Sequence, residues 1–141
     1  MAGRAAAWGG VAGPASFLAA WAVGGVLRAG YDPMEQAISR LAETGASSRA
    51  MMTAGFTGLA AGFLAASAPL ARHLSRPAGV SLAATALAAV GIALTPLRGD
   101  VANTPHTVFA VAGYATLAAV PLLAAPALDR TGRRRWAVAS A

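Results

Sequence analysis

Charged residues in this chain fall in clusters separated by long apolar intervals. No Asp, Glu, Lys or Arg occurs in residues 5–27, 50–71, 77–97 or 101–128, intervals of 23, 22, 21 and 28 residues. A helix needs about 20 apolar residues to cross a hydrocarbon layer of about 30 Å. Each interval is long enough. The pattern predicts a single all-α domain over 1–141, a polytopic membrane bundle. Its four transmembrane helices fall at about 5–27, 50–71, 78–97 and 106–128, followed by a basic tail, 129–141.

A cleaved signal sequence competes for the first interval. Arg4 precedes it, and Ala20-Trp21-Ala22 has the small-x-small form of a cleavage site. The uncharged run exceeds the roughly 7–15 residues of an h-region, so we read it as a retained span.

Composition narrows the alternatives. Hydrophobic residues make up 57% of the chain and charged residues 11%, and the mean hydropathy is +0.58. Soluble domains carry about 25% charged residues, so too little charge is present to cover a water-facing surface. Disorder requires the opposite balance. The absence of cysteine excludes disulfide scaffolds, zinc ribbons, Fe–S clusters and thiol chemistry. The net charge of +6 comes from arginines dispersed among apolar blocks, with no stripe suited to nucleic acid.

Arginine placement sets an expected orientation. With four spans, Arg4, Arg72, Arg76, Arg130 and Arg133–Arg135 share one side, and Arg28, Arg40, Arg49 and Arg98 the other. The excess places both termini in the cytoplasm. The Arg133–Arg135 run beside Trp136 reads either as a topology signal or as a tail on anionic headgroups.

Close helix packing is expected through small residues, since hydrophobicity supplies no force between helices in lipid. Gly9-x-x-x-Gly13, Gly58-x-x-x-Gly62 and, more weakly, Ala84-x-x-x-Ala88 have the required spacing. Thr53/Thr57 and Ser81/Thr85 are expected to bond back to their own helices. Pro14, Pro121 and Pro126 should kink or end a regular segment. Trp8, Trp21 and Tyr31 lie where interface aromatics belong.

The first outer loop carries helix signals. Asp32 is a good N-cap, Pro33 suits the first helical position, Glu35 completes a capping box, and Gly45 supplies a stop. Met34, Ile38 and Leu41 recur at i, i+4 and i+7. This predicts an amphipathic interfacial helix over about 33–44, lying against lipid or the bundle. Its polar residues form either a solvated face or, through Ser39, Arg40 and Glu43, the roof of a site.

The third loop concentrates Arg98, Asp100, Asn103 and His106. Thr104 and Pro105 read as N-cap and first turn of the fourth span, where the helix dipole favours a neutral His106. Tyr114 continues the same helix face two turns on. Asp100 and His106 are the candidate catalytic pair, and Arg98, Asn103, Tyr114, Ser39 and Arg40 the candidate ligand-binding residues. A polar loop of mutually neutralising charges is the plain alternative. No metal site is expected: only two histidines exist, and His73 falls on the other side. No cofactor motif is present.

The run Gly30-Tyr31-Asp32-Pro33-Met34-Glu35-Gln36-Ala37-Ile38-Ser39-Arg40-Leu41 and the small-residue span after it resemble a prokaryotic membrane family, catalogued as domain of unknown function 998. Tyr31, Asp32, Pro33, Ile38, Ser39, Leu41, Asp100 and His106 match its pattern over about residues 15–125. Ala42 stands where the family often has glycine, and members tend to have about six spans against four here. The resemblance implies a bacterial inner-membrane protein, either a shortened form or one completed by a second copy or a partner, and supplies no activity.

Three functions compete. The first is a non-catalytic bundle binding membrane lipid, a partner protein or its own copy, with no nucleic acid. The second is an outer-face enzyme acting on a lipid or envelope substrate through Asp100 and His106, with Arg98 or Arg40 neutralising a headgroup. The third, a small transporter, lacks a continuous polar path and ranks last.

Overall fold

In the computed structural model, residues 2–99 and 103–130 are described, with side chains from Ala6 onward. Four long helices account for most of the chain: α1 (Ala2–Leu27), α2 (Arg49–His73), α3 (Arg76–Leu94) and α4 (Thr104–Arg130). Each is long and apolar enough to cross a membrane, and no strand occurs among the described residues. The chain is an all-helical, multi-pass membrane protein.

The helices form a row in chain order. Each packs on its neighbours in sequence, and α1 and α4, at the two ends, share no comparable interface. The most apolar windows of α2 and α3 are 44% and 50% buried, against 17% for α1 and 6% for α4. The flanking helices therefore offer most of their surface to lipid.

Contact between α1 and α2 depends on the glycines singled out by spacing. A methyl group at Gly62 would lie 2.6 Å from Gly13 Cα and collide with the Gly9 carbonyl oxygen. Gly9 meets the Gly62 carbonyl in the same way, at 2.6 Å. The two backbones thus touch, which maximises van der Waals contact where no hydrophobic force acts. Gly91 of α3 makes equivalent room for the Phe109 ring of α4.

The α3–α4 seam adds hydroxyls. Ser81 Oγ donates to the Thr116 carbonyl at 2.7 Å, Thr85 Oγ1 to Thr116 Oγ1 at 2.9 Å, and Ser75 Oγ to the Leu123 carbonyl at 2.8 Å. Thr57 bonds back to Thr53 as expected, and Thr85 to Ser81, but Ser81 itself reaches across to α4. None of the prolines ends its helix. Pro14 lies within α1, Pro121 and Pro126 within α4, and Pro69, unremarked in the sequence, within α2.

The first connection departs from expectation. In place of a three-turn α-helix over 33–44, a single turn follows Asp32 and a 3-10 helix spans Ile38–Ala42. The start signal operates: Asp32 Oδ1 accepts the Met34 amide at 2.8 Å, and the Asp32 carbonyl accepts the Gln36 amide at 2.8 Å. Ala37 then takes an extended conformation, φ −62° and ψ 144°, and breaks the helix. A short helix on water gains little by propagating. Breaking it turns Leu41 inward, where it is fully buried beside Met52 and Phe56, while Met34 is left 91% exposed.

Candidate functional site

The first and third connections meet at one end of the row and are clasped together by Glu43. Its carboxylate receives Arg28 Nη2 at 3.0 Å, Arg40 Nη1 at 3.1 Å and the Gly99 amide at 2.8 Å. Arg40 Nη1 also donates to the Gly99 carbonyl at 3.1 Å, and Arg28 Nη1 to the Arg40 carbonyl. The Thr44 amide adds a backbone bond to the Leu97 carbonyl at 2.9 Å. Gly99 sits at φ +60°, a left-handed conformation that an L side chain would strain, while its amide and carbonyl are both engaged. The guanidinium of Arg28, followed by the Gly99 amide and the charge of Arg40, holds the Glu43 carboxyl below its ordinary value despite the opposing effect of burial.

His106 anchors the start of α4. His106 is 6% exposed, and Nδ1 lies 2.7 Å from the Thr95 carbonyl at the end of α3. A carbonyl can only accept, so Nδ1 carries a proton; in the neutral tautomer that this selects, Nε2 is the acceptor. No buried side-chain nitrogen or oxygen among the described residues lacks a partner. Helix α4 begins one residue earlier than the N-cap reading of Thr104 implies. Asn103 precedes its first residue, with its carbonyl accepting the Thr107 amide at 3.0 Å and its Oδ1 the Arg98 amide at 3.1 Å.

Two cavities share the His106 ring as a wall. The first, about 260 Å³, lies under the 3-10 helix between α1 and α4. Phe17, Phe56, Ile92 and Ala110 form its apolar part, and Gln36, Ser39, His106 and Tyr114 bring polar atoms to it. All four helices contribute. Tyr114, on α4, is 75% exposed. The second, about 280 Å³, lies over the connection itself and is lined by Thr95, Arg98, Asn103 and His106 among others.

The candidate residues therefore separate. Ser39, His106 and Tyr114 come together at the first cavity, Arg98 and Asn103 join His106 at the second, and Arg40 belongs to the clasp. Asp100 lies outside the described residues, as do Arg133–Arg135 and Trp136. Sequence reading missed Arg28, Phe17 and Phe56. The signal available for Arg28 was a lone arginine at a span end with an unpaired acid in the next loop. No group of three or more His, Cys, Asp or Glu able to hold a metal occurs among the described residues.

A family model described as protein of unknown function (DUF998) matches residues 11–141, and the chain belongs to that family. No curated protein and no solved structure matches it.

Proposed function

We propose that this integral membrane protein is a non-catalytic lipid-binding protein that receives the polar end of an amphiphile in the cavity under the 3-10 helix. The observation that carries this reading is the composition of the cavity: aromatic and aliphatic walls from the helices, Gln36 and Ser39 from the loop, and His106 and Tyr114 from α4, with Tyr114 largely exposed. Such sites are mostly apolar with a few placed polar groups. At about 260 Å³ the space holds a headgroup and not a whole lipid, whose chains would lie along the cleft between α1 and α4.

Seven arginines against four support an orientation with both termini in the cytoplasm, which puts the clasp and the cavity at the outer leaflet of a bacterial inner membrane. An enzymatic reading through Asp100 and His106 has less support. With Nδ1 donated to Thr95, a contact from Asp100 would occupy Nε2, the nitrogen a substrate needs. Nothing favours a transport path.

Native mass spectrometry of protein released gently from membranes tests the proposal. One lipid-sized mass per chain is expected, reduced in an Ala110→Trp variant that fills the cavity. Protein free of lipid, or lipid retained equally by the variant, would contradict it.

A further inference from the structure

We infer that the occupant of this cavity is a neutral lipid alcohol, such as a diacylglycerol or a prenol, and that its hydroxyl donates to His106 Nε2. The inference rests on the lipid-binding reading above and adds the chemical class of the ligand.

Charge and donor–acceptor matching both select an alcohol. No charged side chain lines the cavity among the described residues. The nearby arginines, Arg28 and Arg40, are held on the Glu43 carboxylate at 3.0 and 3.1 Å, and neither lines the cavity. A phosphate brought into this space would lose water and meet no cation, a cost of several kcal/mol or more for an unpaired ion. A hydroxyl meets the opposite situation. The Thr95 carbonyl takes a proton from His106 Nδ1, which leaves Nε2 as the acceptor atom of a neutral imidazole. Ser39, Gln36 and Tyr114 line the same space and can each donate to the oxygen of that hydroxyl or to a neighbouring ester carbonyl. The cation that an anionic headgroup would seek, Arg98, borders the other cavity.

The test measures binding of soluble short-chain lipids to the full-length protein in mild detergent. Dioctanoylglycerol, its methyl ether, farnesol and dioctanoyl phosphatidic acid are the probes, and native mass spectrometry reads occupancy. Dioctanoylglycerol or farnesol should bind at one site per chain, the tighter of the two identifying the source of the alcohol. The methyl ether, which has no proton to donate, and the phosphatidic acid should each bind at least tenfold more weakly. His106→Asn keeps a donor near the position of Nδ1 and removes Nε2. It should retain the thermal midpoint of the wild type while weakening alcohol binding about tenfold. Tighter binding of phosphatidic acid, equal binding of the ether, or full affinity in a folded His106→Asn would overturn the alcohol assignment and leave lipid binding standing. No binding of any probe would overturn both.

Discussion

The Glu43 carboxylate accepts the backbone amide of Gly99 at 2.8 Å, joining positions 56 residues apart. This bond and the two arginines on the same carboxylate tie the first connection, whose residues 36–39 line the cavity, to the third. The cavity has a roof because of it.

Removing that carboxylate should loosen the roof and leave the helices in place. Glu43→Gln is expected to lower stability by at most about 1.5–3 kcal/mol, the range for hydrogen bonds to charged groups. The arginines are partly exposed and water will replace part of the loss. A fall in the thermal midpoint with unchanged helical circular dichroism is the expected result.

The same group makes stability depend on acid. The folded chain lowers the Glu43 pKa below its ordinary 4.5, so its contribution is complete above pH 4.5. It is lost as pH falls below 4.5 through the lowered value, where the folded state must take up a proton. The difference in thermal midpoint between wild type and Glu43→Gln should therefore be constant from neutral pH down to about 4.5 and shrink below it. A difference that persists unchanged into strong acid would show that the charge is not what matters.

At the α1–α2 crossing, tolerance should follow geometry and not composition. Gly62→Leu places carbon against the Gly13 backbone, which cannot move aside as a flexible side chain could. The expected cost is about 1–3 kcal/mol or more. Gly10→Ala, whose new methyl would rest 3.5 Å from Ala66 Cβ, is the control and should be neutral or mildly stabilising. Thermal unfolding in detergent compares the two.

The hydroxyls between α3 and α4 should matter less than their number suggests. Interhelical hydrogen bonds in membranes average about 0.6 kcal/mol. Thr116→Val removes the bond from Thr85 and leaves the Thr116 carbonyl available to Ser81. A loss below about 1 kcal/mol is expected, measured as a shift in denaturant midpoint.

The spans were legible because charge spacing reports membrane thickness directly. The contact of Gly9 and Gly13 with Gly58 and Gly62 was legible from spacing alone, since few other residues let two backbones touch. The first loop was misread for a physical reason. Met34, Ile38 and Leu41 fit a helical stripe, but burial of Leu41 outweighs continuation of a short helix, and the break at Ala37 satisfies it. Glu43 was visible as a polar residue of that loop, not as the centre of the clasp, because its partners Arg28 and Gly99 stand 15 and 56 positions away. His106 was placed correctly in the first turn of α4, but its bond to Thr95 required knowing where α3 ends.

The most direct test is photo-crosslinking in native membranes with a diazirine-bearing diacylglycerol, followed by peptide mapping. Adducts are expected to concentrate on the peptides holding Phe17, Ser39 and Ala110–Tyr114, and to be lost in Ala110→Trp. Labelling spread along the outer faces of α1 and α4, and unchanged in that variant, would show lipid acting only as solvent and would contradict a binding site.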